Sequence, residues 1–355
     1  MRRLASLLFL VFIGAAGAAG QTYELHDLGP ILDPIYWSVG FNPVAVNNSG
    51  IIAGYLRQNP IFPGAHAGLR LRDGSLRDLG TFNGTPFESS QASAINARGD
   101  IAGWSAGVFY PSQAFVVRSG AMQPLGVLPG ATESAAYGIN DRGVVVGTGD
   151  CVCQTAAEHH ALLFADGVVT DLGVLRGGRN AGALAINNRG QIVGTSDFFY
   201  ETTGQHAFLY EDGHMIDLAT MTGESRFRYA VDINDHGQVI GYSDTSSSPP
   251  DNRSFLYDHG VLTDLMGGRS GAAIALAINN SREIVGWVSL GDNNARAVIF
   301  APDGPIDLND VVGEPEWKLV AAIDVNDAGR ILGYGFWRGE LHGFFLERVS
   351  RKPKN

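Results

Sequence analysis

A short phrase built around asparagine recurs seven times along this chain at nearly constant intervals. Its copies read AVNNSGIIAG, AINARGDIAG, GINDRGVVVG, AINNRGQIVG, DINDHGQVIG, AINNSREIVG and DVNDAGRILG. The central asparagines, 44 to 49 residues apart, are Asn47, Asn96, Asn140, Asn187, Asn234, Asn279 and Asn326. A period of this length marks a supersecondary unit that cannot bury its own apolar face and stacks on copies of itself. The sequence therefore predicts an array of repeats.

Each repeat contains four segments of strand length. In the fourth repeat they read LAIN, QIVGTS, HAFLYE and HMIDL, and they are named segments a, b, c and d. Asn-x-x-Gly predicts a four-residue turn between a and b, and pairs such as Asp212-Gly213 predict a tight hairpin between c and d. The sixth copy has Arg282 in place of the turn glycine, so we expect local backbone strain there.

The pattern of apolar residues predicts where each segment lies. Segments b and c are nearly continuous apolar runs, which is typical of strands covered on both faces. Segment a is rich in alanine, which suits a crowded position where the repeats converge on one axis. Segment d mixes in polar residues, as expected at a solvent-exposed rim. Four antiparallel strands repeated around an axis are the blades of a β-propeller.

The two ends of the chain predict how the ring closes. After the seventh phrase come segments b and c, and the chain then ends in a short basic tail, residues 348–355, without a segment d. A d-like segment, residues 23–29, stands near the N-terminus instead. The sequence thus predicts an all-β fold over residues 21–347, a seven-bladed β-propeller of four-stranded antiparallel blades, with the ring closed by an N-terminal strand that completes the last blade. An open β-solenoid is the alternative, but it has no use for this exchange of ends.

These phrases resemble the HAF repeat, which defines a bacterial family of extracellular repeat proteins. HAFLYEDG, residues 206–213, and AINNRGQIVG carry the resemblance, which extends over residues 23–347. It implies a secreted repeat protein, and it brings neither an established activity nor catalytic residues. Gln113, Arg253 and Arg296 depart from the family pattern because they replace the motif histidine.

The N-terminus predicts export. Arg2 and Arg3 precede an apolar stretch and a run of small residues that ends at Gly20, which is the pattern of a signal peptide over residues 1–20. The apolar stretch is too short to span a bilayer, so we expect no membrane insertion. We expect the mature chain to be secreted, either to the extracellular space or to a periplasm.

Charge narrows the choice of partners. The chain carries 25 basic and 36 acidic residues, which gives a formal net charge of -11. A surface of this sign repels phosphate backbones, so nucleic-acid binding is not expected. We expect the partner to be an extracellular glycan or protein of unknown identity. We expect the chain itself to be a monomer.

The only two cysteines, Cys151 and Cys153, lie close together. In an exported protein they either form a local disulfide or stay as a free pair. With His159 and His160 nearby a metal cluster is conceivable, although the spacing matches no common zinc pattern.

Segment c begins with histidine in four repeats, at His66, His160, His206 and His342. Repetition argues against catalysis, which needs a site that differs from its sister blades. We therefore expect these histidines to form hydrogen bonds within their own blades to the carboxylates of segment d. Those carboxylates are Asp27, Asp78, Asp171, Asp217, Asp264 and Asp307.

The connections from d to a and from b to c emerge on one face of a propeller, where a rigid scaffold carries recognition loops. Aromatic residues on such loops suit contact with carbohydrate or peptide. The candidate ligand-binding residues are Tyr36, Trp37, Phe82, Phe198, Tyr200, Phe227 and Trp317. The alternative is that these rings only fold the loops onto the blades.

Three aspartates, Asp150, Asp197 and Asp244, follow segment b in consecutive repeats. Set along an arc, they could share a calcium ion or act on a substrate as an acid and base pair. Capping of the strand ends explains them equally simply. We expect no cofactor, with calcium at these aspartates as the one alternative.

The symmetric motifs and the aromatic loops together favour a non-catalytic binding scaffold for carbohydrate or protein ligands. No catalytic residues are assigned, because no acid and base cluster visibly breaks the sevenfold pattern. A propeller hydrolase or lyase that acts on extracellular polysaccharide is one alternative. A purely structural surface protein is the other, and it predicts neither binding nor turnover.

Overall fold

The computed structural model describes residues 22–31, 40–57, 64–85, 87–108, 110–152, 158–197, 204–222, 227–243, 252–289 and 294–349. They form seven four-stranded antiparallel sheets, which confirms the predicted seven-bladed β-propeller. The helices are α1 (Leu218–Thr222) and α2 (Leu308–Val312). The strands are β1 (Thr22–Pro30), β2 (Gly40–Val46), β3 (Ile52–Arg57), β4 (His66–Arg70), β5 (Leu76–Gly80), β6 (Glu88–Ile95), β7 (Ile101–Gly107), β8 (Tyr110–Arg118), β9 (Ala121–Pro124), β10 (Ser134–Ile139), β11 (Val145–Asp150), β12 (His159–Ala165), β13 (Val168–Gly173), β14 (Ala181–Ile186), β15 (Ile192–Asp197), β16 (Gln205–Glu211), β17 (His214–Asp217), β18 (Tyr229–Ile233), β19 (Val239–Tyr242), β20 (Ser254–Asp258), β21 (Val261–Asp264), β22 (Ala272–Ile278), β23 (Ile284–Ser289), β24 (Arg296–Ala301), β25 (Gly304–Asp307), β26 (Trp317–Val325), β27 (Ile331–Trp337) and β28 (Glu340–Val349).

Each blade is built from the four predicted segments in chain order. Blade 1 is β2 to β5, blade 2 is β6 to β9, and so on to blade 6, which is β22 to β25. In each of these sheets strand a pairs with b, b with c, and c with d. Blade 7 has the order β1-β28-β27-β26, so its strand d comes from the N-terminus.

The depth of the strands also agrees with the sequence. Strands a of neighbouring blades contact each other all round the ring, and their most crowded positions hold small residues such as Ala92, Ala183 and Ala275, all fully buried. Strands b and c are buried along most of their length, whereas strand β5, a strand d, is largely exposed. Strands a therefore surround the axis, and strands d form the rim.

The apolar core lies between the blades. Val193 and Leu209 of blade 4, for example, join Phe227, Val239 and Phe255 in one buried cluster that extends into blade 5. Burial of these side chains against the next blade supplies the stability that a single blade lacks.

The predicted closure is confirmed by the pairing of the chain ends. Strand β1 runs antiparallel to β28, and Leu25 is paired with Leu346. His342 Nδ1 lies 2.9 Å from Asp27 Oδ1, so a side-chain bond also joins the two strands. The ring is sealed inside blade 7.

The turns between strands a and b have the predicted geometry. The side-chain oxygen of Asn187 accepts hydrogen bonds from the backbone N–H groups of Arg189 and Gln191, both at 3.0 Å. The turn glycine Gly190 has φ 89°, a left-handed conformation that a Cβ disfavours. In the sixth copy Arg282 takes the same left-handed conformation with φ 62°, which is the geometry from which we expect local strain.

The same asparagines have a second role that the sequence did not predict. Each side-chain Nδ2 donates to the backbone carbonyl of the equivalent asparagine in the next blade, at 2.8 to 3.3 Å, and Asn326 donates to Asn47 to complete the circle. All seven side chains are buried. We call this closed circle of seven hydrogen bonds the asparagine ring.

We expect Asn187→Asp to lower stability by about 1 to 3 kcal/mol, because aspartate keeps the turn acceptor but loses the Nδ2 donor. The measurement is denaturant unfolding. The control is Asn294→Asp, where the oxygen that accepts from Lys318 Nζ is retained on an exposed side chain. Equal stability of the two variants would show that the asparagine ring contributes nothing.

We expect Arg282→Gly to raise the stability by about 1 kcal/mol, because glycine adopts φ 62° without strain. The Arg282 guanidinium lies 3.9 Å from Asp258 on an exposed surface, so its loss costs little. A lower melting temperature in this variant would contradict the prediction.

Candidate functional site

The two faces of the ring differ in their connections. The loop face carries the connections from b to c and from d to a, and the turn face carries the turns from a to b and from c to d. Several large apolar side chains are exposed at the loop face. They are Phe87, Val108, Tyr110, Val152, Met221 and Phe336.

In blade 7 strands β27 and β28 are joined at this face by only two residues, a short connection that blade 2 shares between β7 and β8. Arg338 and Gly339 form this turn with φ 50° and 91°. The pairing of β26 with β27 places Trp317 directly opposite Trp337. The tight turn therefore brings two tryptophans and the charged residues beside them to one place.

We call Glu316, Trp317, Trp337, Arg338, Glu340 and His342 the blade-7 cluster. The His342 ring lies between the two indoles, 6.0 Å from Trp317 in an edge-on arrangement and 5.2 Å from Trp337 between ring centres. Arg338 covers the Trp337 ring at 4.8 Å. It also binds both oxygens of Glu316, at 2.7 and 2.9 Å. The Arg338 guanidinium lowers the pKa of Glu316, which therefore stays ionised.

His342 supplies a buried polar atom inside this cluster. Its side chain is 6% exposed, and Nδ1 is bonded to Asp27. Among the described residues Nε2 has no hydrogen-bond partner, although the exposed Glu340 carboxylate lies 3.8 Å away. With Nδ1 as the donor to Asp27, Nε2 of the neutral ring can accept a hydrogen bond from a hydroxyl group.

The recurring pairs of strands c and d are as predicted. His66, His160 and His206 bond Asp78, Asp171 and Asp217 at 2.9 to 3.1 Å. Arg253 pairs with Asp264 at 3.0 Å, and Arg296 with Asp307 at 3.6 Å. Blade 2 has Gln113 and Pro124 at these positions and makes no such ion pair. The histidines thus have a structural role, which His342 shares through Asp27.

The structure places the candidate ligand-binding residues in different environments. Trp317 belongs to the blade-7 cluster. Phe82 is half-buried and packs edge-on against Phe115 of the core. Phe227 is fully buried against Phe255, so its ring is not part of the exposed surface of the loops. Tyr36, Trp37, Phe198 and Tyr200 lie outside the described residues.

Sequence reasoning missed Trp337, Arg338 and Glu340. The signal was present, since Arg338-Gly339 within WRGE can form a two-residue hairpin turn between segments b and c of the seventh repeat. It also missed a Gly-x-Ser-x-Gly match at residues 103–107, the pattern of a nucleophile elbow. In the structure Ser105 lies within strand β7, is 4% exposed and donates to Ser89 O. This serine is therefore part of a sheet and does not stand on an exposed turn.

Two of the three candidate calcium ligands are engaged in caps. Asp150 accepts from Thr132 and Glu133, with backbone N–H bonds at 2.8 and 2.9 Å. These bonds lower its pKa although burial opposes them. Asp197 accepts from the backbone of Arg179 and Asn180 at 2.6 and 2.8 Å. This geometry favours the capping alternative. Asp244 lies outside the described residues.

Cys151 is disulfide-bonded, and Cys153, the only other cysteine of the chain, lies outside the described residues. Ligand atoms of Cys151, Glu158 and His160 lie within 4.8 Å of one another. Because a disulfide sulfur is not a thiolate, this group lacks its strongest metal ligand in the oxidised chain. His159 Nε2 is bonded to Glu133 at 2.8 Å.

Two half-buried carboxyl groups stand beside the axis. Asp232 and Asp324 replace small residues of strands a in blades 5 and 7, and they accept from the backbone N–H of Ile278 and Val46 in the next blade at 2.8 and 2.6 Å. Burial raises the pKa of Asp232 to about 6. Burial and the nearby Asp232 charge raise the pKa of Asp324 to about 7.

Among the described residues, no helix is long and apolar enough to cross a membrane.

Comparison with known proteins supports the fold and leaves the activity open. A family described as a protein of unknown function (DUF3466) matches residues 179–343, which is under half of the chain. No curated protein is significantly similar to it in sequence.

Several solved structures share the fold. The β-propeller domain of the Trilobed protease from Pyrococcus furiosus is similar with a TM-score of 0.59 and 14% identity, over 89% of this chain and 96% of that one. The Pyrococcus horikoshii acylaminoacyl peptidase (TM-score 0.56, 12% identity) matches 87% of this chain and 52% of its own. A puromycin-hydrolyzing peptidase of Mycobacterium tuberculosis (0.54, 12%) matches 92% and 56%. The chain thus spans about half the length of the two peptidases, and identities this low show the fold alone.

The raised pKa values give a testable pH dependence. Unfolded aspartate titrates near pH 4, so the folded protein binds more protons than the unfolded chain between about pH 4 and 7, and the contribution of Asp324 to stability falls as pH rises through this window. Asp324→Asn keeps an acceptor for Val46 N–H but cannot ionise. We expect this variant to exceed the wild type in stability by about 1 to 3 kcal/mol at pH 8 and to match it at pH 4.

The measurement is the melting temperature of both proteins from pH 4 to 8. Asp310→Asn, on the exposed surface of α2, is the control and should follow the wild type at every pH. A gap between Asp324→Asn and the wild type that stays constant with pH would contradict the prediction.

Proposed function

We propose that this protein is a secreted, non-catalytic binding scaffold of the HAF-repeat type, and that the blade-7 cluster holds a carbohydrate ligand. The observation that carries the proposal is the arrangement of Trp317 and Trp337 around the buried Nε2 of His342. It is the one place among the described loop-face residues where paired indoles, a buried acceptor and exposed charges meet.

This combination suits a sugar ring. Indoles offer a large apolar surface to the C–H groups of a sugar, while the polar edge of the site fixes its hydroxyl groups. His342 Nε2 can accept from one hydroxyl, and the exposed Glu340 carboxylate, 3.8 Å away, can accept from another. The ion pair of Glu316 with Arg338 fixes the rim of the site in the absence of ligand.

The sevenfold scaffold supports a site without turnover. Glu316 is held by Arg338, and the bond of His342 to Asp27 repeats the structural pairs of five other blades. An enzyme acting on extracellular polysaccharide remains the second candidate function. The approach of Glu340 to His342 Nε2 favours it, since a carboxylate beside an imidazole could serve as an acid and base pair.

The test starts with a glycan and peptide array probed with the mature protein, followed by titration with the glycan that binds. We expect Trp317→Ala and Trp337→Ala each to weaken binding about tenfold or more, because each removes an aromatic wall of the site. Met221→Ala, another exposed apolar residue of the loop face, is the matched control and should change affinity less than about twofold.

Three results would speak against the proposal. A blank glycan array favours a structural surface protein, and an array positive only for peptides favours a protein partner. Release of reducing or unsaturated sugar that disappears in Glu340→Gln favours the enzyme.

A further inference from the structure

The turn face between blades 2 and 3 contains a pocket with three arginines. Arg98 lies in the a-to-b turn of blade 2, Arg118 at the end of strand β8 in the same blade, and Arg142 in the a-to-b turn of blade 3. Ser119 and Gly143 complete the part of the lining that matters here. We call these five residues the arginine pocket.

Two of the guanidinium groups converge on one point. A Cβ built on Gly143 would lie 2.7 Å from an Nη2 atom of Arg98 and 3.1 Å from that of Arg118. Gly143 therefore provides the space into which both positive groups extend. Like charges this close repel each other unless a negative group lies between or beside them.

The protein neutralises this charge only in part. Arg98 pairs with Asp100 at 2.9 Å. Arg118 donates to the backbone carbonyl of Gly143 at 2.8 Å, which accepts a hydrogen bond but carries no full charge. Among the described residues neither Arg118 nor Arg142 forms an ion pair, and the remaining acidic residue of the lining, Asp166, is paired with neither.

Other blades show the arrangement from which blade 2 departs. At the end of strand c they place an acidic residue that bonds the residue just after the a-to-b turn. The pairs are Gln191 with Glu211, Gln238 with Asp258 and Arg330 with Glu347, at 2.6 to 2.8 Å. In blade 2 the two positions are exchanged, because the acidic residue, Asp100, lies just after the turn and accepts a hydrogen bond from Arg98. The end of strand c holds Arg118 instead, which bonds Gly143 of the next blade.

We propose that the arginine pocket binds an oxyanion, the carboxylate or sulfate group of an acidic polysaccharide. Guanidinium groups bind such anions through paired N–H donors and lose less hydration than ammonium groups do. Ser119 adds a hydroxyl donor at the wall of the pocket. The pocket is open, since the Arg98 side chain is 53% exposed, so a group attached to a long chain can enter.

The oxyanion site stands on its own geometry, while its attachment to a polysaccharide rests on the proposed carbohydrate-binding function. The chain as a whole carries a net charge of -11, which repels polyanions at long range. Binding must therefore come from close contacts in the arginine pocket. The two sites lie on opposite faces of the ring, so each can be removed without touching the other.

The test is calorimetric titration of the mature protein at low ionic strength with four probes. They are a galacturonate oligomer, a sulfated glucan oligomer, a neutral glucan oligomer and sodium sulfate. We expect the wild type to bind at least one of the acidic oligomers, and Arg118→Gln and Arg142→Gln each to lose about tenfold or more of that affinity.

Arg189→Gln is the matched control, because Arg189 occupies in blade 4 the turn position that Arg142 occupies in blade 3. It removes the same charge from the same face and should change affinity less than twofold. Arg142→Gln keeps the test valid if loss of the Arg118 bond to Gly143 disturbs the fold. The neutral glucan oligomer carries no group for the arginine pocket, so its titration reports on the blade-7 site separately.

Equal loss in Arg189→Gln would overturn the proposal, because the effect would then be general electrostatics. Failure of the wild type to bind either acidic oligomer would overturn it as well. If sodium sulfate binds as tightly as the oligomers, the site takes a free oxyanion and the polysaccharide part of the proposal is wrong. The ratio of sulfated to uronate affinity identifies which of the two groups the pocket prefers.

Discussion

The asparagine ring is the interaction on which the rest of the structure depends. In each repeat one amide does two things: its oxygen holds its own turn, and its nitrogen bonds the next blade. Aspartate and serine can serve the turn, but aspartate has no donor and serine cannot supply both an acceptor for two N–H groups and a donor to the neighbour. This double demand explains why the position is asparagine in all seven copies. It also explains why the ends of the chain must meet, since the circle is complete only when Asn326 reaches Asn47.

The residues that directly follow the ring asparagines form a second circle of hydrogen bonds. The odd number of blades constrains which side chains this circle can contain. Its members alternate between amide and carboxylate, and each side-chain oxygen accepts the backbone N–H of the preceding blade, as Asp235 does from Asn188. In chain order they are Asn48, Ala97, Asp141, Asn188, Asp235, Asn280 and Asp327. Strict alternation is impossible with seven members, and two neighbouring aspartates would repel. Ala97 stands at the break, in blade 2, which also lacks the c-to-d ion pair and carries the inverted charges of the arginine pocket.

The sequence was sufficient to predict the fold, and it was insufficient for the site, for one physical reason. Seven copies of one pattern leave less local ambiguity than one copy does. Strand order, turn geometry and the exchange of ends could therefore be predicted from the sequence. The pairs of His206 with Asp217 and of His342 with Asp27 could be predicted in the same way. A site is built from departures, and a departure occurs once. Trp317 and Trp337 became neighbours only through the pairing of β26 with β27. Phe227 stands in a loop in the sequence, yet its ring is buried, because position along the chain does not determine the direction of a side chain.

Most contacts between blades lie near the axis and between the sheets, and this explains how departures at the loops and strand ends are tolerated. Most of the burial that holds blade to blade comes from strands a, the asparagine ring and the apolar clusters between the sheets, while the b-to-c connections and the ends of strands c add single hydrogen bonds such as that of Arg118 to Gly143. Blades 2 and 7 can therefore have b-to-c connections of only two residues, and blade 2 can reverse a charge pair, at little cost to the core. Because blade 1 alone separates these two blades, the chain concentrates its asymmetry in one sector of the wheel, with aromatic residues on the loop face and arginines on the turn face. A ligand long enough to pass over the edge of that sector could engage both.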